Sequence, residues 1–221
     1  HHSHPGLPVA VGAADRECFE RAEELWREVK VFHGYGGYER FWMPRKSIPV
    51  QVSLHDGAPP IWDRPYVYAQ QTPGHTPGHS CLFFKKEELL FLADIDLTSF
   101  GPWYGDACSD LEQTIASIKL IRDFPAKTFI TAHGEGIIRG SIAKKADAFL
   151  RVIDQRENAL LDFLKEPRTM DEIVNKWIIY KKPREPVKSF EFGERGMMKK
   201  HVDRLVASGT VVYNEGRYCK K

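Results

Sequence analysis

The sequence predicts an α+β protein in which a β-sandwich precedes a small domain of helices. In the first 140 residues, several short apolar segments have the length of strands and are bounded by Gly and Pro turns. Two segments of helical length, 15–31 and 109–124, interrupt these strands. After residue 140, three helical segments and one hairpin follow. We therefore predict two domains, at residues 1–140 and 141–221.

Composition limits the class of protein. With 221 residues, 42% of them hydrophobic, the chain is long enough for one large and one small core. No segment approaches eighteen consecutive apolar residues, so we expect no membrane span, and no secretory signal is visible. The four cysteines are scattered without a CxxC pair. This pattern is typical of thiols in a reducing compartment and predicts a cytoplasmic location.

Charge is divided unevenly along the chain. Residues 1–140 contain 14 Lys and Arg against 18 Asp and Glu, a net charge of −4. Residues 141–221 contain 18 against 12, a net charge of +6. A basic C-terminal region predicts either an anionic partner or a solvated surface of mixed charge.

The N-terminal segments begin with a short strand at 9–12 and an amphipathic helix at 15–31. We expect Asp15 to cap this helix. Residues 33–49 are rich in Gly and aromatic side chains and show no period, which predicts a loop or lid.

The following segments alternate between strand and helix. Apolar or alternating character predicts strands at 50–54, 66–70, 80–84, 89–93 and 128–131. The two strands at 80–93 are close enough in sequence to form a hairpin. The helix at 109–124 is expected to begin near Asp110 and to turn Ile115, Ile118 and Ile121 inward.

The C-terminal region reads as a helical module with a terminal hairpin. A long helix at 141–165 has an expected apolar face of Ala148, Val152, Leu160, Leu161 and Leu164. A second helix starts at Thr169 with the capping-box pattern Thr-Met-Asp-Glu. A third helix spans 193–208, with Met197, Val202, Leu205 and Val206 inward, and a tight hairpin follows at 209–219. This order is typical of a winged helix-turn-helix domain.

The segment Thr72-Pro-Gly-His-Thr-Pro-Gly-His79 is the most informative stretch of the chain. His75 follows a strand and is flanked by Gly and Pro, which fix the backbone and so hold the imidazole in one direction. A metal ligand requires such a fixed direction. A surface turn is the alternative interpretation. We expect His79 to lie near His75 without binding a metal itself.

Asp94 and His133 end two further apolar strands. A carboxylate at the end of a buried strand is costly unless it is paired or binds a cation. Asp94 could therefore bridge two metal ions, with Asp96 as the competing carboxylate. His133 follows the strand at 128–131 in the same way. Ligands of this kind suit Zn²⁺, Mn²⁺ or Fe.

Three of these segments together resemble the metallo-β-lactamase superfamily, and in particular its glyoxalase-II-like branch. They are Pro73-Gly-His-Thr-Pro-Gly-His79, Phe91-Leu-Ala-Asp94 and Ala132-His-Gly134. The resemblance covers residues 1 to about 140 and implies an αββα sandwich with two divalent metal ions at one edge, Zn first and Fe or Mn as alternatives. It implies that His75 ligates one ion, Asp94 bridges both and His133 ligates the other, which makes these three the catalytic residues. The implied reaction is hydrolysis of an ester, thioester, amide or phosphodiester by a metal-activated water.

The superfamily signature H-x-H-x-D-H does not occur in this sequence, which begins with His1-His-Ser-His4 instead. In one register, His2 and His4 form the H-x-H pair and are metal ligands, with Gly6 and Leu7 replacing the acid and the last His. In a second register, His1 and His4 are the second and last histidines and Ser3 replaces the acid. The third alternative, which we favour, places the signature upstream of this sequence.

Aromatic residues in two loops are expected to contact the substrate. Trp103 and Tyr104 follow the bridging Asp94 closely, and Tyr38 lies in the predicted lid. Apolar surroundings and the acidic 1–140 region favour a small acyl ester or thioester, as in hydroxyacylglutathione hydrolases. A homodimer is left open.

The C-terminal module supports an alternative function. It is similar to an extension on one superfamily branch that includes both acyl-thioester hydrolases and single-strand endoribonucleases. The second hypothesis is therefore a metal-dependent endoribonuclease whose Lys199, Lys200 and Arg204 contact nucleic-acid phosphates. A third is a non-catalytic scaffold with a decayed metal site. His201, in the same predicted helix, is expected on the surface.

Overall fold

The computed structural model describes residues 7–25, 44, 46–57 and 66–221. His2, His4 and Tyr38 lie outside the described residues, as does most of the predicted lid. The strands are β1 (Ala10–Gly12), β2 (Val52–Leu54), β3 (Val67–Gln71), β4 (Ser80–Phe84), β5 (Leu89–Phe91), β6 (Thr128–Ile130), β7 (Ile137–Arg139), β8 (Val211–Asn214) and β9 (Arg217–Lys220). The helices are α1 (Arg16–Glu20), α2 (Leu111–Arg122), α3 (Ala143–Phe163), α4 (Met170–Val174) and α5 (Val187–Ala207).

Two sheets form the N-terminal body. Strands β3 to β7 form a five-stranded sheet in chain order, in which β5 and β6 are parallel and the other neighbours antiparallel. The β4–β5 pair is the predicted hairpin, whereas β7 was not predicted. Strands β1 and β2 pair in parallel as a second, two-stranded sheet. An apolar cluster of Leu54 from β2 with Val67 and Ala69 from β3 joins the two sheets.

Helices α2 and α3 pack against the five-stranded sheet. The Asp110 side chain accepts a hydrogen bond from the Gln113 amide and so caps α2, as predicted. Burying an aliphatic or aromatic side chain stabilises the fold by about 2 kcal/mol. Helix α2 is therefore held on the sheet by one apolar cluster that includes Leu90, Ile118, Ile121, Phe129 and Phe149.

The C-terminal segments form a second core that is continuous with the N-terminal body. It combines α4, α5, strand β8 and the second half of α3 with two residues from the first 140, Tyr104 and Leu111. The first half of α3 packs in the sheet core, so this helix belongs to both cores. The observed order of three helices and a hairpin agrees with the prediction. The winged-helix class and the division at residue 140 stay predictions.

The apolar stripe of α3 differs from the predicted one. Ala148 is exposed, and Val152 and Leu161 are only partly buried. The buried positions are Ala146, Phe149, Ile153, Arg156 and Leu160. Leu160 and Leu164 are fully buried, as predicted. The other three positions were predicted wrongly because a buried Arg156 occupies the stripe and hides its period in the sequence.

Helix α5 begins at Val187 rather than at Gly193, and Val206 is exposed rather than inward. Gly193 and Gly196 therefore lie inside the helix, where glycine is normally unfavourable. Both glycines approach the 103–105 loop closely. A Cβ at Gly193 would overlap the Trp103 ring and the Tyr180 hydroxyl, and one at Gly196 would overlap the Gly105 carbonyl.

Two expectations from composition can be compared with the structure. No helix in the described segments is both long enough and apolar enough to cross a membrane. All four cysteines lie in described segments, and none of them forms a disulfide there.

Candidate metal centre

The pairing of the strands brings three loops to one edge of the five-stranded sheet. Strands β5 and β6 are parallel, so the residues that follow them, including Asp94 and His133, leave the sheet at the same edge. Strand β4 is antiparallel to β3 and β5, so the 72–79 loop between β3 and β4 also lies at this edge. Sheet topology therefore places the three predicted ligands together.

The turn that carries His75 is fixed by hydrogen bonds from its surroundings. Gly74 has a φ of 134°, which favours glycine, and its carbonyl accepts a hydrogen bond from the Asp110 amide. The Ser109 hydroxyl donates to the carbonyl of His75 itself. The His75 Nδ1 lies 3.3 Å from the Trp103 carbonyl, to which it donates. His75 Nε2 is thereby left as the free nitrogen and faces Asp94.

Asp15 anchors the same turn rather than capping α1. Its side chain makes no capping hydrogen bond, although it precedes α1. Instead, the two carboxylate oxygens accept hydrogen bonds from the Thr76 hydroxyl at 2.6 Å and from the Gly78 amide at 2.7 Å. Burial raises the pKa of Asp15, and these two hydrogen bonds oppose the shift. The prediction missed this role, whose only sequence signal is an acid shortly after a strand.

The Asp94 carboxylate lies between two imidazoles. Its Oδ2 is 3.6 Å from His75 Nε2, and its Oδ1 is 3.4 Å from His133 Nε2. Two ligands that share a tetrahedral ion, each at about 2.1 Å, lie about 3.4 Å apart. The spacing therefore fits a carboxylate that shares one ion with each imidazole. Ala93, in the left-handed region at φ 49°, turns the chain so that Asp94 leaves the end of β5.

His79 fixes the backbone of Asp94 through a hydrogen bond. Its Nε2 accepts a hydrogen bond from the Asp94 amide at 3.2 Å, and its Nδ1 donates to the Thr72 carbonyl at 2.9 Å. Burial lowers the pKa of His79 to about 4, so the ring is neutral and can accept this bond. Both ring nitrogens are engaged, which agrees with the expectation that His79 is not a ligand.

Asp96 and the His133 loop are held by local hydrogen bonds. Asp96 Oδ1 accepts from both the amide and the hydroxyl of Thr98, so this carboxylate stabilises a turn. The carboxylate that pairs with His75 and His133 is Asp94. The Thr131 hydroxyl donates to the His133 carbonyl at 2.6 Å and accepts from the Gly136 amide. Between the two carboxylates weighed from the sequence, the geometry favours Asp94 as the bridge.

A small pocket opens beside His75 and Asp94. Its other walls are mostly apolar and include Ile95, Pro102, Trp103 and Phe149. The Trp103 indole donates to the Asp106 carboxylate at 2.7 Å, which fixes the ring. Trp103 is thus brought to the site, as expected for a residue that contacts substrate.

Tyr104 lies in a buried network, which argues against its predicted contact with substrate. Tyr104 and His201 are both fully buried, and the Tyr104 hydroxyl donates to His201 Nε2 at 2.8 Å. His201 Nδ1 in turn donates to Glu157 at 3.1 Å. The expectation of a surface His201 was wrong. A signal was present, since His201 is four residues from both Met197 and Leu205 on the buried face of α5.

The three cations assigned to phosphate contacts already have partners. Lys199 pairs with Asp203, and Lys200 donates to the Ala107 carbonyl. Arg204 pairs with both Glu112 and Glu157. A nucleic acid would have to compete with these internal contacts.

Asp94 forms one pair of candidate ligands with His75 and a second pair with His133. Within the described segments, no group of three His, Cys, Asp or Glu side chains is arranged to hold a single ion. The remaining candidates from the sequence, His2 and His4, lie outside the described residues. The donor set present, two imidazoles and one carboxylate, fits borderline divalent ions.

A sheet edge with a His, Asp and His set of this kind is a candidate metal site in an α+β sandwich, and comparison with known proteins identifies the family. The model of the metallo-beta-lactamase superfamily matches residues 9–133, more than half of the chain. The chain belongs to this superfamily, whose members are generally metal-dependent hydrolases. No curated protein gives a significant match to the sequence.

Solved structures show the same fold. A metallo-beta-lactamase family protein from Thermus thermophilus is 20% identical, with a TM-score of 0.74 over 98% of this chain and 72% of the other. A beta-lactamase domain protein from Burkholderia ambifaria is 17% identical, with a TM-score of 0.63 over 98% of this chain and 75% of the other. Both alignments extend through the C-terminal helices.

Proposed function

We propose that this protein is a hydrolase that uses two divalent metal ions to cleave a small acyl ester or thioester. The observation that carries the proposal is the Asp94 carboxylate, which faces His75 through one oxygen and His133 through the other at the spacing of shared ligands. Hydrogen bonds from the Trp103 carbonyl and from His79 still orient His75 and Asp94, which is not expected of a site that has lost its metal. The third hypothesis, a scaffold without metal, therefore has less support.

Some residues would bind the metal ions, and others orient the side chains that bind them. His75 and Asp94 would hold one ion, and Asp94 and His133 the other. When bound, the ions would activate a water molecule and polarise the bond to be cleaved. The Trp103 carbonyl fixes the His75 ring by accepting from Nδ1, and His79 fixes the backbone of Asp94. Zn²⁺ suits this donor set best, with Fe and Mn as alternatives.

The apolar side chains beside the candidate metal centre support the choice of substrate class. Ile95, Pro102, Trp103 and Phe149 offer an apolar wall next to His75 and Asp94. The cavity has room for about one water molecule, so an acyl group would lie outside it, against Trp103. A charged phosphodiester would gain nothing from this apolar surface. The ribonuclease hypothesis has less support, because Lys199, Lys200 and Arg204 already contact acceptors of the same chain at its surface.

The test combines metal content with hydrolysis. The full chain is loaded separately with Zn²⁺, Fe²⁺ and Mn²⁺, its metal content is measured by elemental analysis, and it is assayed with p-nitrophenyl acetate, acyl thioesters and single-stranded RNA. We expect about two ions per chain and activity on the acyl substrates, both of which Asp94→Ala removes. Asp154→Ala, the same change at an exposed position of α3, is the matched control.

Two results would contradict the proposal. A folded wild-type chain that retains no metal under any loading condition would leave only the scaffold hypothesis. Metal-dependent cleavage of RNA, without cleavage of any acyl substrate, would support the ribonuclease instead.

A further inference from the structure

Arg156 is a buried cation in the middle of α3, and its contacts lie mainly in the loop beside the candidate metal centre. Its side chain is only 2% exposed. One guanidinium nitrogen donates to the Pro102 carbonyl at 2.9 Å and the other to the Phe100 carbonyl at 2.5 Å. The first nitrogen also donates to the Tyr104 hydroxyl at 3.0 Å. Arg156 therefore holds the loop on both sides of Trp103.

Trp103 connects the loop held by Arg156 to His75, a predicted metal ligand. The Trp103 carbonyl, which lies between the two clamped positions Pro102 and Tyr104, accepts the hydrogen bond from His75 Nδ1. A carbonyl that accepts from Nδ1 fixes both the orientation of an imidazole and the nitrogen left free to bind a metal. A displacement of the 100–104 loop would therefore rotate His75 or change its tautomer.

A purely structural role does not account for a charged residue at this position. Positions 149, 153 and 160 of the same stripe are apolar, and an apolar residue at 156 would complete the core without the cost of burying a charge. The guanidinium is planar and has five donors, so it can reach two carbonyls and a hydroxyl at once, which a single ammonium group on a lysine cannot do. The Phe100 ring, 5.0 Å from the guanidinium carbon, packs on its face.

We infer that Arg156 is a positioning residue for the metal centre, which holds His75 in the Nδ1–H tautomer through the Trp103 carbonyl. The C-terminal helices would thereby be part of the catalytic machinery without touching the substrate. This inference rests on the proposed function for its consequence in catalysis. The orientation of His75 itself can be measured without any metal.

The first measurement is the tautomer of His75 in the metal-free full chain, by ¹⁵N NMR of the histidine side chains, with the signal assigned by comparison with His75→Gln. The second is the affinity for Co²⁺ and the visible absorption spectrum of bound Co²⁺, which reports the ligand geometry. The variants are Arg156→Met and Arg156→Lys. Arg151→Met, at an exposed position of the same helix, is the matched control.

We expect wild type and Arg151→Met to hold His75 as the Nδ1–H tautomer and to give the same Co²⁺ spectrum. In Arg156→Met we expect a mixture of His75 tautomers and a changed Co²⁺ spectrum. We also expect the affinity for Co²⁺ to be about 10-fold lower, the loss that is typical when a residue that orients a metal ligand is removed. Arg156→Lys keeps the charge but not the three-way clamp, so its affinity should fall between the two.

The inference would be overturned by a folded Arg156→Met protein that keeps the wild-type tautomer and binds Co²⁺ within about twofold of the wild-type affinity. Such a change is well below the loss expected when a hydrogen-bond partner of a metal ligand is removed. If circular dichroism shows that this variant does not fold, the same two readouts on Arg156→Lys decide the question. If wild type binds no Co²⁺, the proposed function fails, and the tautomer measurement still decides the role of Arg156.

Discussion

Asp94 and Asp96 are chemically identical and two residues apart, yet their surroundings give them different roles. The oxygens of Asp94 face His75 and His133. Asp96 is satisfied by the amide and hydroxyl of Thr98. The half-exposed Asp94 carboxylate is placed to share a cation with each imidazole, whereas Asp96 uses one oxygen to accept both donors of Thr98.

This difference predicts opposite outcomes for two alanine variants. Asp94→Ala should lose both metal ions, because each shares this carboxylate, and should keep the fold. Asp96→Ala should keep the metal content and lose about 1 kcal/mol of unfolding free energy, because Thr98 loses its acceptor. Elemental analysis and urea denaturation of the two proteins measure these quantities. Retention of metal by Asp94→Ala and loss by Asp96→Ala would reverse the assignment.

His79 is predicted to act through Asp94 rather than by binding metal. In His79→Leu, the Asp94 amide loses its acceptor and the Thr72 carbonyl loses a donor. We expect the affinity for Zn²⁺ to fall about 10-fold while about two ions per chain still bind at saturation. Titration with a competing chelator measures this affinity. His79→Gln, which keeps a donor and an acceptor, should lose less; equal losses in the two variants would argue against the hydrogen bond.

At the scale of elements, the sequence predicted the segments whose structure depends on local pattern. The apolar runs that became β4, β5 and β6, the Asp110 cap and the Thr169 capping box all carry their signal within a few residues. The start of α5 and the stripe of α3 could not be predicted in this way. Gly193, Gly196 and Arg156 contradict local preference, and only their contacts with the 100–105 loop explain them.

The candidate site was predictable to the same extent. His75, Asp94 and His133 each follow a strand, so their meeting follows once β5 and β6 are parallel. Asp15 and His201 were misassigned, because an acid before a helix reads as a cap and a histidine among charged residues reads as exposed. Their partners, Thr76 and Tyr104, lie 61 and 97 residues away. Contacts at such separations leave no local pattern.

Helix α5 approaches the 103–105 loop so closely that replacing Gly196 by alanine should lower the unfolding free energy rather than raise it. Replacing an exposed glycine inside a helix by alanine ordinarily stabilises by about 1 kcal/mol. Gly196→Ala should instead destabilise by about 1–3 kcal/mol, because its methyl group would overlap the Gly105 carbonyl and push α5 away from the loop. Urea denaturation followed by circular dichroism measures the change.

Lys188→Ala, at an exposed position of α5, is the control for this variant. It should change the unfolding free energy by less than about 0.5 kcal/mol. A Gly196→Ala protein that is more stable than wild type would show that α5 does not lie against the loop.

At the scale of the whole molecule, the N-terminal body and the C-terminal helices share one network of buried polar contacts. Arg156 and His201, from α3 and α5, meet at the Tyr104 hydroxyl, which accepts from the first and donates to the second. Tyr104 belongs to the loop that carries Trp103, and the Trp103 carbonyl holds His75. The two regions are therefore expected to unfold together, and loosening of the C-terminal core should reach the metal centre.

His201 gives this coupling a dependence on pH. Burial lowers the pKa of His201 below its ordinary value of 6.5, and the hydrogen bond with Glu157 opposes the shift. The charged groups around the ring are Glu157, Arg156 and Arg204. Above pH 6.5 the ring is neutral in both the folded and the unfolded chain. As the pH falls below this value, the unfolded chain takes up the proton first, so the folded state loses stability until the folded pKa is reached.

We therefore predict that His201 steepens the loss of unfolding free energy as the pH falls below about 6.5, by at most about 1.4 kcal/mol per pH unit. His201→Gln cannot take up this proton. It should be less stable than wild type at about pH 7, because the network with Tyr104 and Glu157 is disturbed, but its stability should fall less steeply with pH. Urea denaturation of both metal-free proteins at a series of pH values isolates the contribution of His201, because the other histidines are common to both. Parallel curves would show that His201 has the same proton affinity in the folded and unfolded chain, and that burial at the junction of the two cores does not hold it neutral.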